Sequence, residues 1–232
     1  MSSRDQRSLN ARLDRGRVRE VYRSIAPVYD LWGRLTESKA RSRCLELARI
    51  RDGESVLEVA VGTGLAFAKI LAANPHGRND GIDLTEEMLD HARRKAKQSG
   101  VDTYRLAVGD AYQLDYPADT FDVLINNYLF DLLPEEHFPV VLAEFKRVLR
   151  PEGRLVIANM TLAARWYERA WELLYRINPA WLGGCRGIVL KPYLESAGFK
   201  DVTHEFVTQL TFPTEILSTV KPQKLGHEAT TR

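Results

Sequence analysis

Cysteine is nearly absent. Cys44 and Cys185 are the two in 232 residues, too few for a disulfide framework or a cysteine-rich metal site. A reducing, cytosolic setting is expected. Long apolar runs are missing as well: none approaches the ~18 residues of a membrane span. The first twenty residues are polar and charged, so no secretory signal is expected. No cluster of His, Cys and acidic residues has ligand spacing, so no metal is expected. Neither sign of charge dominates: Lys and Arg number 33 against 31 Asp and Glu, and a net charge of +2 favours no particular partner. Internal repeats and linker-like stretches are also lacking. What remains is 44% hydrophobic and 28% charged, the make-up of one globular domain over residues 1–232.

The chain is organised around residues 56–65. Val56, Leu57, Val59 and Val61 make a short β-branched run that reads as a strand buried on both faces. Gly62 and Gly64 break it, and residues 66–73 read as a helix. Strand, glycine turn and helix is how an open α/β sheet brings its backbone close to a nucleotide. The bland alternative is a corner whose glycines only turn the chain. A dinucleotide fingerprint needs a third glycine for tight helix packing. Phe67 stands there instead, which disfavours NAD.

The pattern acid-x-Ala-x-Gly-x-Gly, with Glu58 on the strand, resembles the first motif of class I methyltransferases that use S-adenosylmethionine. The resemblance implies that Glu58, Ala60, Gly62, Gly64 and Leu65 serve the cofactor, the acid fixing its amino-acid end. Ala60 stands where the family has glycine, and its methyl fits if φ is negative. Asp83 ends the second strand, 25 residues past Glu58. A carboxylate there can accept both ribose hydroxyls, with Leu84 and Met88 against the adenine; a simple loop acid is the alternative. Thr85 reads as the N-cap of the helix that follows, over residues 88–99. After the third strand, residues 103–108, the resemblance puts Asp110 and Ala111 at the adenine amino group. A helix N-cap is the plainer role for Asp110. The fourth strand and its exit, residues 121–128, end beside the transferable methyl in this fold, which brings Asn126 and Tyr128 to the cofactor. No Pro-Pro-aromatic follows, unlike the adenine-N6 nucleic-acid methyltransferases.

Residues 21–30, with Tyr22 and Tyr29, resemble the entry segment of the ubiquinone and menaquinone C-methyltransferases. There this segment covers the cofactor as a lid; ordinary packing aromatics are the alternative. The Arg-rich residues 1–20 read as a solvated helix or as a basic arm that touches anionic lipid or nucleic acid. A helix is expected over 37–50. Another, over 134–149, carries His137 on its solvent side. A tight turn at 150–153 then leads into strand five, 154–160. Residues 161–187 form an insert. In this fold such inserts roof the acceptor site, so Trp166, Tyr167 and Arg186 are candidate acceptor contacts; simple helix packing is the alternative. A helix closes at Ala197 with Gly198 as cap. Two last strands, 202–209 and 215–220, and a tail over 222–232 complete the chain.

Asp131 is the candidate catalytic residue. It replaces a histidine of many relatives and could accept a proton or steady a cation. Capping the helix near Pro134, or a loop position, is the alternative. The expected fold is α/β: a Rossmann-like, seven-stranded, mostly parallel sheet with helices on both faces and an antiparallel edge hairpin. The implied function is methyl transfer from S-adenosylmethionine to a small-molecule or lipid-like acceptor such as a quinol, phenol or amine. A binding protein of the same fold without turnover is the second reading. The expected location is cytoplasmic, with peripheral membrane contact through the Arg-rich start.

Overall fold

The computed structural model describes residues 33, 35–163, 165–178 and 185–223. Tyr22, Tyr29, the Arg-rich start and the tail from Lys224 lie outside them. The strands are β1 (Ser55–Val59), β2 (Arg78–Asp83), β3 (Tyr104–Val108), β4 (Phe121–Asn127), β5 (Leu149–Met160), β6 (Lys200–Gln209) and β7 (Phe212–Val220). The helices are α1 (Ser38–Ala48), α2 (Phe67–Ala73), α3 (Glu86–Gln98), α4 (Phe138–Val148), α5 (Arg169–Ile177) and α6 (Lys191–Ser196). One seven-stranded sheet runs in the order β3-β2-β1-β4-β5-β7-β6. β1 to β5 pair in parallel, and β7 is antiparallel to both its neighbours.

Alternation along the strands builds two cores. Leu57, Val59, Leu124, Leu155 and Ile157 face one side, against Phe138, Val141, Leu142 and Phe145 of α4 and Leu194 of α6. Val56, Val123, Ile125, Val156 and Ala158 face the other, against Ala40 and Cys44 of α1, Ile70 and Leu71 of α2, and Ala92 and Ala96 of α3. Parallel strands covered on both faces explain the unbroken apolar runs. Cys44 lies fully buried and free, its thiol pushed up by desolvation.

The structure departs from the sequence expectations in three places. Residues 150–153 lie within β5 rather than forming a separate turn. Glu152 takes φ 64°, and the β4–β5 register shifts between Phe121 and Val123. Glu152 N donates to Lys221 O at 2.8 Å and Lys221 N to Gly153 O at 2.9 Å, so the irregular residues stay in the ladder as a bulge. The helix expected over 134–149 is a 3-10 turn, Glu135–His137, followed by α4 with Pro139 in its first turn. Last, Leu210 and Thr211 take φ 47° and 64°, a two-residue hairpin turn that lets β7 begin at Phe212.

Ala60 also corrects the expectation of negative φ: it sits at φ 60°. The backbone around it has no choice. Val61 N donates to Ile82 O at 3.0 Å, and Gly62 N to Asp83 Oδ2 at 2.8 Å. These two ties to β2 outweigh the ~1–2 kcal/mol that a left-handed conformation costs an L-residue. Ala60→Gly should therefore stabilise the fold, by about 0.5–1 kcal/mol in urea unfolding. A loss of stability would show that the alanine conformation is unstrained.

Candidate functional site

The strand order reverses between β1 and β4, where an open α/β sheet leaves a crevice at its carboxyl edge. Asp83 organises the loop there. Its Oδ2 accepts from Gly62 N at 2.8 Å, and its Oδ1 accepts from Thr85 N at 3.1 Å and from Thr85 Oγ1 at 3.2 Å. Thr85 thus holds the N-cap position of α3 without capping it; its hydroxyl serves Asp83 instead. Burial raises the Asp83 carboxyl against the pull of these donors.

The two glycines do different work. Gly62, at φ 57°, would present a Cβ to open space. At Gly64, φ 84°, a Cβ would lie 2.7 Å from Ala92 Cα, so this glycine lets the loop pack on α3. Phe67, in place of a third glycine, is accommodated from the other side. A Cβ on Gly81 of β2 would lie 3.0 Å from Phe67 Cε2.

Glu58 is 1% exposed, and desolvation pushes its carboxyl up to about 8. Its Oε1 takes a long bond of 3.5 Å from Asn127 Nδ2; its Oε2 has no partner. Asn126 Nδ2 donates to Val59 O at 2.8 Å, bridging β4 to β1, and leaves its Oδ1 unpaired. Asn127 Oδ1, Asp131 Oδ1 and both polar side-chain atoms of Asn159 are likewise buried and unpaired. Six of the eight such atoms among the described residues therefore stand at the carboxyl ends of β1, β4 and β5. Buried orphans normally run to a few in a domain, and this concentration marks a polar ligand site.

Asp131 is neither the cap of the Pro134 helix nor a loop acid at the surface. It is fully buried in the 3-10 turn Phe130–Leu132. Phe130 anchors that turn edge-on against Phe138 and Phe145 of α4, at 5.3 and 5.7 Å. Asp131 Oδ2 accepts from Met160 N at 3.1 Å, and burial lifts the carboxyl to about 7. Arg186, from the insert, is fully buried; its guanidinium donates to Asp131 O at 2.8 Å and to Leu133 O. It clamps main-chain carbonyls of the turn. Tyr128, at φ 57°, is buried with its hydroxyl 3.0 Å from Thr214 Oγ1 and its ring near Phe212.

The other expected residues divide. Leu65 and Leu84 are half-buried, Ala111 is buried, and Met88 is packed away at 1% exposure. Asp110 caps no helix: its Oδ1 accepts from Tyr112 N at 3.1 Å, closing a local turn. His137 is half-buried rather than solvent-facing, with Nδ1 2.8 Å from Tyr112 Oη. Trp166 is 82% exposed and Tyr167 lies edge-on beside it, so in this conformation the two do not close over the crevice. Sequence reasoning missed Asn159 and the buried pair Arg41–Glu37, whose Nη2 and Oε2 are 2.7 Å apart. Their i, i+4 spacing is visible in the sequence, but not their burial. The charge on Arg41 pulls the Glu58 carboxyl down, against desolvation.

Known proteins resemble this chain in sequence and in fold. Residues 56–153 match the model of a methyltransferase domain. The ubiquinone/menaquinone biosynthesis C-methyltransferase of Burkholderia multivorans is 33% identical over 175 residues, 72% of this chain and 70% of that one. The demethylmenaquinone methyltransferase of Lactococcus lactis is 31% identical over 185 residues, 76% and 72% of the two chains. Phosphoethanolamine N-methyltransferase 2 of Haemonchus contortus, solved with S-adenosyl-L-methionine, superposes with a TM-score of 0.63 at 13% identity, covering 80% of this chain and 53% of that one. At that identity it supports the fold alone. The family model and these relatives define an enzyme, an S-adenosylmethionine-dependent methyltransferase. Within that class, the chain belongs to the family of the ubiquinone and menaquinone C-methyltransferases.

The raised Glu58 carboxyl carries a pH signature. A carboxyl harder to ionise when folded than when unfolded favours the fold most at low pH. Its contribution is full below the ordinary value of 4.5 and drains away as pH rises to about 8. The ligand-free protein should melt at falling temperature across that range, and Glu58→Gln should flatten the fall. A Gln variant with the wild-type pH profile would show that Glu58 is ionised in the fold.

Proposed function

We propose that the chain methylates a lipid-like small molecule of the quinol, phenol or amine class, with the quinol class favoured by the names of its relatives. The observation that carries the reading is the set of unpaired buried polar atoms along the carboxyl edge of β1, β4 and β5. The residues there fit S-adenosylmethionine. Glu58, with Oε2 free, suits the cofactor's cationic amino end. Gly62 leaves the loop open on one side. Asp83 Oδ2 accepts from Gly62 N, and its remaining lone pair has capacity for a ribose hydroxyl. To grip both hydroxyls it must first release Thr85 Oγ1.

When bound, S-adenosylmethionine supplies a methyl group already activated on a sulfonium. The protein's own tasks are alignment, exclusion of water and handling of a proton. Asp131 is assigned the proton. Its Oδ1 has no donor, and its carboxyl titrates near neutrality, where a base is most effective. Phe130, Met160 and Arg186 hold it in place. Tyr22 and Tyr29 are assigned to a lid, and the Arg-rich start to contact with anionic membrane. Among the described residues no helix is long and apolar enough to cross a membrane. Binding without turnover rests on two departures from the family, Ala60 and the Asp131-Leu132 that replaces a histidine pair; it loses the first, because Ala60 keeps the conformation a glycine would have.

Asp131→Asn retains shape and Oδ hydrogen bonding but not the base. Turnover on a methylated acceptor should fall by roughly 10²–10⁴ while cofactor affinity stays within about twofold. The assay is tritiated methyl transfer over a panel of quinols, phenols and amines. Wild-type turnover in the Asn variant would remove Asp131 from the mechanism, and a changed Michaelis constant alone would make it an acceptor anchor.

A further inference from the structure

The helix after β5 carries apolar side chains on two faces, one packed inward and one turned outward. Trp166, Ala170, Leu173 and Ile177 recur at the spacing of one helical stripe, across the 3-10 turn Trp166–Glu168 and α5. A surface helix normally turns such a stripe to the core. Here Trp166 is 82% exposed, Leu173 60% and Ile177 62%, and Ala170 is exposed between them.

The inward face mixes Trp171, Leu174 and Tyr175 with polar groups. Glu168 is fully buried, accepting from Arg165 N at 2.8 Å and Thr208 Oγ1 at 3.1 Å. Glu172 accepts from Ala163 N at 3.0 Å. Trp171 donates from Nε1 to Thr211 Oγ1 at 3.0 Å and packs on Phe212. Tyr175 is buried with Met160 and Cys185. The outward face is left with large apolar side chains and the exposed Arg165 and Arg176.

We propose that this face of α5 docks on an anionic lipid surface. An apolar stripe bearing tryptophan and edged by arginine matches the chemistry of the headgroup boundary. Pairing the stripe with itself in a second copy would bring the arginines of both copies close together. The helix follows β5 directly, so docking would set the carboxyl edge of the sheet near the bilayer. This rests on the reading of a lipid-like acceptor.

The test is co-sedimentation of the full chain with vesicles of phosphatidylcholine alone or mixed equally with phosphatidylglycerol. Wild type should partition to the mixed vesicles, and Leu173→Glu with Ile177→Glu should cut that partition by about tenfold or more. Cofactor affinity of the double variant should match wild type, which shows that it is folded. Equal sedimentation of variant and wild type would overturn the proposal and place binding elsewhere, the Arg-rich start included. So would failure of wild type to sediment, or a dimer in sedimentation velocity that the double variant breaks. Methyl transfer to a short-chain, water-soluble acceptor separates this proposal from the reading beneath it. If that activity is present without vesicle binding, the docking face alone fails. If no lipid-like acceptor is methylated in any form, the acceptor reading fails.

Discussion

The carboxylate of Asp83 is what the cofactor edge depends on. By accepting from Gly62 N it draws the loop after β1 onto the end of β2, and by accepting from Thr85 it aligns the start of α3. That tie forces Ala60 into a glycine-like conformation and leaves Gly64 against Ala92. One half-buried acid thus joins two strands, a loop and a helix. Its own carboxyl is raised by desolvation despite the donors around it, so the arrangement is held at some cost.

A second cost lies beside it. Glu58, Asn126, Asn127, Asp131 and Asn159 are buried with polar atoms that nothing in the described protein satisfies. Each such atom costs about 1–3 kcal/mol relative to a paired one. A fold selected for stability alone would place apolar residues at these strand ends. A polar ligand entering the edge would relieve several of the penalties together, so binding and stability are coupled there. Arg41 and Glu37 extend the same polar ground under α1.

Much of the fold is written in local pattern. The apolar run of β1, the glycine break and the acid at the end of β2 locate the sheet's centre without any tertiary information. The length of β5 is not so written. Arg150, Pro151 and Glu152 look like a turn, and only the cross-strand bonds of Lys221 keep them in the ladder. Site positions are legible where a motif sets spacing: Glu58 and Asp83 stand near the carboxyl ends of β1 and β2, as expected. Roles are hidden where burial decides. Asp131 looks like a loop acid until Phe130 is seen packed on α4, and Arg186 looks like an acceptor contact until its carbonyl partners appear. The packing of Gly64 and Phe67 is hidden for the same reason: their partners, Ala92 and Gly81, come from other elements.

The role proposed for Glu58, whose Oε2 has no partner, is to hold the amino end of S-adenosylmethionine. It is tested most directly by calorimetry of that ligand near neutral pH in buffers of different ionisation enthalpy. With the Glu58 carboxyl raised to about 8, the free protein holds its proton at pH 7. Binding of a cationic amino group should then release close to one proton, and Glu58→Gln should abolish the release while weakening affinity. Binding without proton release, indifferent to Glu58→Gln, would contradict the account.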